Sequence, residues 1–108
     1  MKNKLLLVIP TLNEFGNIQK IYKKIQNTNK KISILFIDDN SLDGSKKIII
    51  NLKSKNKKVN YIFRKKKLGI GSAHKAGIKF ALKKRYNYVC TMDCDGTHDP
   101  RHIKKMLN

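Results

Sequence analysis

Four short apolar runs, each rich in β-branched or aromatic residues, alternate with segments whose apolar positions recur at helical spacing. The runs predict strands over about Lys4 to Ile9, Ile32 to Ile37, Val59 to Phe63 and Tyr88 to Met92. Their near-continuous apolar character suits strands covered on both faces, as in a parallel sheet. Between the first two, Ile18, Ile21, Tyr22 and Ile25 fall at i, i+3, i+4 and i+7, the stripe of a helix that packs one face inward. A second helix is expected from about Gly44 to Ser54, burying Ile48, Ile49 and Leu52. A third, from about Gly71 to Lys84, presents Ala73, Ala76, Gly77, Phe80 and Ala81, small enough at several positions for close approach to the sheet. The glycines of LGIG before it permit a tight turn. A fourth helix is expected after Asp99, an N-cap acid followed by Pro100 at the first helical position. This alternation predicts an α/β fold, a parallel sheet with crossover helices, in a single domain without internal repeats or linkers.

The polar positions that interrupt this pattern are not scattered. All seven acidic residues follow apolar runs: Glu14 after LLLVIP, Asp38, Asp39 and Asp43 after ISILFI, and Asp93, Asp95 and Asp99 after YVCTM. The C-terminal ends of parallel strands open on one edge of the sheet, where open α/β sheets bind ligands, so the acids are expected to converge there.

Asp93 and Asp95 flank one residue, Cys94, at a strand end. That spacing lets two carboxylates share a hard divalent cation, Mg2+ or Mn2+, which takes one or two carboxylates together with phosphate oxygens and water. Such a cation bridges a diphosphate to the protein and offsets charge on a departing nucleoside diphosphate. In the second cluster, Asp39 is assigned to ligand contact and Asp38 to holding the loop, with Ser41 and Asp43 as caps. Pro10, Leu12 and Glu14 form the other wall of the expected nucleotide pocket, and Arg64 or Lys67 is available to a diphosphate. Asp99 is assigned to the helix cap and left out of the metal shell. LGIGSAH is neither a P-loop nor GxGxxG, and His74, His98 and His102 lack metal-ligand spacing.

Composition limits the remaining choices. The 108 residues hold one domain at most, and a unit of that size buries only about two-thirds of the surface its unfolded chain exposes. The formal charge of +18 points by itself to a polyanion or an anionic membrane. Lys, Asn and Ile are over-used together, however, as in drift of an A/T-rich coding sequence, and the lysines spread over helix faces and loops. They are therefore read as solvated faces, and no nucleic-acid partner is expected. Cys90 and Cys94, separated by Thr91, Met92 and Asp93, fit neither a CxxC pair nor a zinc framework, which suits a reducing compartment. The apolar stretch after the N-terminal MKNK ends at Pro10, too short for a secretory or membrane-spanning segment, so the chain is expected in the cytoplasm. It stops within an expected helix, as a fragment would, leaving an apolar edge on the fourth strand as an aggregation risk.

IPTLNEFGNI, FIDDNSLDGS, RKKKLGIGSAHKAGIKFAL and YVCTMDCDGTHDPRHI together resemble the successive motifs of family 2 glycosyltransferases, over about Leu5 to Ile103. Within that family the likeness is nearest to dolichyl-phosphate or polyprenyl-phosphate mannosyltransferases. The resemblance implies a Rossmann-like GT-A fold for nucleotide-diphospho-sugar transfer, incomplete at the C-terminus, with residues 1–108 the sugar-nucleotide-binding part of one domain. It implies a sugar-nucleotide donor, GDP-mannose, and inverting transfer to a polyprenyl or dolichyl phosphate at the cytoplasmic face of a membrane. By position, Pro10, Leu12, Glu14, Ile37 and Asp39 line the nucleotide site, and Asp93, Cys94 and Asp95 meet the diphosphate, with Asp93 and Asp95 on the metal. Leu12 stands where the family usually has Tyr, Cys94 where Ala is common, and Gly96-Thr97 where Leu precedes Ser or Gln, so Thr97 leaves the third metal ligand open. The catalytic acceptor-side residues are expected beyond residue 108. Two other readings stay open: a family 2 enzyme with a saccharide hydroxyl acceptor, and a non-catalytic basic module that binds nucleic acid or anionic lipid.

Overall fold

Strand and helix alternate as the apolar pattern requires. The computed structural model describes residues 4–94, except for the side chain of Ile70. Asp95, Thr97, His98, Asp99, His102 and the expected fourth helix lie outside the described residues. The order is β1 (Leu5–Thr11), α1 (Phe15–Thr28), β2 (Ser33–Asp38), α2 (Ser45–Lys55), β3 (Val59–Phe63), α3 (Ile70–Lys83) and β4 (Tyr88–Thr91). The four strands form one parallel sheet in the order β3-β2-β1-β4. The chain thus winds outward from β1 to β3, then crosses back through α3 to lay β4 on the other side of β1. That reversal leaves a switch point between β1 and β4, the place where a sheet of this kind opens a crevice.

Both sheet faces are covered. One face packs against α1 and α2, with Leu7, Ile9, Ile18, Ile21, Ile25, Ile34, Phe36 and Ile49 all buried. The other packs against α3 through Leu6, Val8, Leu35, Ile37, Ala73, Ala81 and Val89. Alternate residues of β1 and β2 therefore go to opposite layers, and burial of each large aliphatic side chain contributes about 1.5–3 kcal/mol. Ile48, expected in the core, is only half-buried, while its neighbour Ile49 takes the inward position. Gly77 is where α3 meets β1: a Cβ there would lie 2.6 and 2.7 Å from the two methyl carbons of Val8.

The elements depart from the expected boundaries chiefly at β1. This strand continues through Pro10 to Thr11, in register with Ile37 and Asp38 of β2, although proline is rare in a central strand. The reason lies in its neighbours. The carbonyl of Val8 accepts from the Met92 N–H, so Val8 faces β4, and by strand alternation so does Pro10. Its β4 partner strand ends at Thr91, opposite Val8, so no ladder bond needs the donor that Pro10 lacks. No helix among the described residues is long and apolar enough to cross a membrane.

Candidate functional site

The C-terminal ends of β1, β2 and β4 and the turn before α3 surround a cavity of about 330 Å3. Pro10, Thr11, Leu12 and Glu14 line it from β1, Asp39 from β2, Lys67 and Gly69 from the turn, and Asp93 and Cys94 from β4. Of the residues assigned from sequence, Pro10, Leu12, Glu14, Asp39, Asp93 and Cys94 thus come together. Ile37 does not line the cavity; it is wholly buried beneath α3. Thr11 and Gly69 complete the wall without having been singled out as ligand contacts. A polar β-branched residue closing an apolar run, opposite an acid closing the next, was the available signal for Thr11.

Asp38 ends β2 with no solvent exposure and holds the loop, as expected. Its Oδ1 accepts from Thr11 Oγ1 at 2.5 Å and Ser41 Oγ at 2.6 Å, and its Oδ2 accepts from the Ser41 N–H at 2.7 Å. Ser41 is therefore not a helix cap. Its hydroxyl also accepts from the Asn13 N–H, and Asn13 Oδ1 accepts from the Leu42 N–H, which ties the first loop to the second. Asp43 is a cap twice over: one oxygen accepts from the Ser45 N–H and hydroxyl, the other from the Phe15 N–H, so one carboxylate serves the first turns of both α1 and α2. Carboxylates are favoured at such helix starts. Burial would raise the Asp43 pKa, but bonds from Ser45 and Phe15 outweigh it and hold the group below its ordinary value.

Asp39 points to the third loop. Its Oδ1 accepts from Arg64 Nε at 2.6 Å, and its Oδ2 from the Leu68 and Gly69 N–H groups at 3.0 and 3.2 Å. Arg64 extends the clamp through Nη1 to Ser72 Oγ and through Nη2 to the Gly69 carbonyl. Desolvation acts to raise the Asp39 pKa; the Arg64 hydrogen bond and charge and the two N–H groups overcome it and hold the carboxyl below its usual range. Arg64 is thus engaged by Asp39 and α3 and does not line the cavity, which decides between the two cations expected near a diphosphate. Lys67 is the one on the cavity. Gly69 makes the turn with φ 90° and ψ 166°, a region open essentially to glycine alone.

On the opposite wall, Asp93 is exposed and Cys94 nearly buried. Among the described residues no group of three His, Cys, Asp or Glu side chains is placed to hold a metal ion. A single wall carboxylate still suits a hard cation that takes most of its ligands from phosphate and water. Asp93 has that donor chemistry; its proposed companion Asp95 is outside the described residues. Glu14 Oε1 accepts from Asn17 Nδ2 within the first turn of α1.

Residues 6–108 match the family described as glycosyl transferase family 2. The chain is 32% identical over 104 residues to polyprenol monophosphomannose synthase of Mycolicibacterium smegmatis, covering 95% of this chain and 39% of that protein. It is 28% identical to undecaprenyl-phosphate mannosyltransferase of Micrococcus luteus, covering 96% of this chain and 43% of the relative. The chain therefore spans about two-fifths of the length of these curated relatives. In fold it is similar to the mannosyltransferase PcManGT from Pyrobaculum calidifontis, solved in complex with GDP-Man and Mn2+, with a TM-score of 0.69, 18% identity and coverage of 88% of this chain and 28% of that one. The S. aureus TarS 1-349 structure superposes with a TM-score of 0.69 at 20% identity, over 85% of this chain and 27% of that one.

Proposed function

The chain belongs to glycosyl transferase family 2, and from that membership we propose that it forms the donor-binding part of an inverting, metal-dependent enzyme that transfers mannose from GDP-mannose to a polyprenyl or dolichyl phosphate. The observation that carries this reading is the convergence of three strand ends and the α3 turn on one cavity, with Asp39 and Asp93 both in its wall. The relatives named for polyprenol and undecaprenyl phosphate support the acceptor class, and the fold neighbour holding GDP-Man and Mn2+ supports the donor.

In this reading the nucleoside lies against Pro10, Leu12 and Glu14, and Asp39 receives one hydrogen bond from it. A carboxylate offers about four acceptor positions; Arg64, Leu68 and Gly69 occupy three, leaving one on Oδ1. The diphosphate meets Asp93 and Cys94 in the cavity wall, and Asp95 is assigned to it from the sequence. Asp93 and Asp95 would hold a Mg2+ or Mn2+ ion, which would supply Lewis-acid charge to the leaving group. The acceptor phosphate is already anionic, so no strong protein base need activate it. What the chain contributes is positioning and a fixed electrostatic frame: Asp38, Asn13 and Asp43 hold the loops in place before the ligand arrives. A lipid-linked acceptor brings the site to a membrane surface, at the cytoplasmic face.

Calorimetric titration of the folded chain with GDP-mannose and UDP-glucose, with and without Mn2+, tests the reading. Saturable binding of GDP-mannose that needs Mn2+ and is lost in Asp93→Asn is expected. Binding indifferent to both metal and substitution refutes it.

A further inference from the structure

The cavity lining is electrostatically lopsided. Glu14, Asp39 and Asp93 bring three carboxylates, and Lys67 is the one cation among the described lining residues. Asp39 is neutralised by Arg64, which is itself turned away into Ser72 and the Gly69 carbonyl. A ligand that carries several negative charges meets Lys67 as the protein's own counter-charge.

Where Lys67 sits is determined by its neighbours. It lies in the turn between Arg64 and Gly69, and both ends of that turn are fastened to the tip of β2. The Arg64 N–H donates to the Asp38 carbonyl at 2.8 Å, its guanidinium to Asp39 Oδ1, and the Leu68 and Gly69 N–H groups to Asp39 Oδ2. Arg64 and Asp39 are both about nine-tenths buried, so the fastening is shielded from solvent. Gly69 then leaves the turn in a conformation that other residues resist. The exposed Lys67 is thus carried on a short turn with fixed ends.

We propose that Lys67 is a diphosphate-binding residue of this site, and that the Asp39–Arg64 pair is the positioning device that holds its turn at the cavity. The proposal rests on the donor-site reading above and assigns it a protein cation that acts alongside the metal. Lys67 donates to the diphosphate as a point charge, without fixed fork geometry. Arg64 acts through the turn and makes no contact with the phosphates.

The test measures equilibrium binding of GDP and UDP against GMP and UMP to the full chain, in Mn2+, with circular dichroism to verify folding. Lys67→Met is expected to weaken the diphosphates on the order of tenfold, as loss of a hydrogen bond from a charged group does. The monophosphates should change little, and Lys67→Arg should restore most of the preference for the second phosphate. Arg64→Gln should lower the same preference with Lys67 intact, and the double variant should lose no more than Lys67→Met alone. An unchanged diphosphate preference in Lys67→Met, or an equal loss for both nucleotide classes, overturns the role of Lys67 and leaves the donor-site reading standing. Additive losses in the double variant overturn the positioning role of Arg64. A wild-type chain that binds neither diphosphate overturns the proposal and the donor-site reading together.

Discussion

Thr11 Oγ1 donates to Asp38 Oδ1 at 2.5 Å, joining the C-terminal ends of the two central strands at a point closed to solvent. The same carboxylate receives two further bonds from Ser41, so its removal strands three donors. An unsatisfied buried donor costs about 1–3 kcal/mol. Asp38→Ala is expected to destabilise the chain by ~3 kcal/mol or more and Thr11→Val by only ~1 kcal/mol, as read from urea midpoints. An Asp38→Ala variant within about 0.5 kcal/mol of wild type would remove the loop-holding role.

Gly77→Ala sets two effects against each other. Alanine favours a helix interior by up to about 1 kcal/mol over glycine, but the new Cβ would approach both Val8 methyls to under 3 Å. Overpacking of this kind costs about 1–3 kcal/mol, so the clash prevails and the melting temperature falls. Adding Val8→Ala should return part of the loss relative to Val8→Ala alone, since that change removes the opposing methyls. Independent, additive effects would contradict the close approach of α3 to β1.

Gly69→Ala isolates backbone strain, because a Cβ at that position meets nothing within 4 Å. With φ at 90° and ψ at 166° the expected cost is about 1–3 kcal/mol. Because Gly69 lines the cavity, nucleotide affinity should fall in parallel. A variant as stable as wild type would show that the turn adopts another conformation.

Acid should weaken the fold through Asp39 and Asp43, both held below the ordinary carboxylate pKa. A group depressed in the folded state stabilises it fully above its unfolded pKa, about 3.9 for Asp. That contribution fades as pH falls through the lower folded value. Urea midpoints should therefore drop below about pH 4, and Asp39→Asn should drop less between pH 7 and pH 3 than wild type, having no carboxylate to protonate there. Equal drops in the two proteins would argue against a depressed Asp39.

Much of this arrangement is legible in the sequence because period and punctuation are local. The apolar runs place β1 to β4, the family 2 motifs order them, and acids at strand ends mark the edge where the cavity opens. The loop-holding role of Asp38 also follows, as does the placement of Asp39 at the cavity, since the last residue of a buried strand is turned inward and the next reaches the loops. What escapes is long-range and polar. The Arg64–Asp39 clamp and the Asn13–Leu42 tie span 25 and 29 positions and leave no periodic trace. The inward assignment of Ile37 to the α3 layer depends on strand parity, which a single apolar run cannot reveal because both faces are apolar. Pro10 looked like the end of β1 because the early stop of β4 beside it is a property of the assembled sheet.

Paramagnetic broadening by Mn2+ of the amide resonances, recorded with and without GDP-mannose, probes the convergence of the loops most directly. Broadening that requires the nucleotide and centres on Thr11 to Glu14, Asp39, Lys67 to Gly69 and Asp93 to Cys94 is expected. The basic turns at the far edge of the sheet, around Lys31, Lys58 and Lys84, should stay sharp. Nucleotide-dependent broadening at those turns instead, or none at the cavity in a folded sample, would contradict a donor site on this edge.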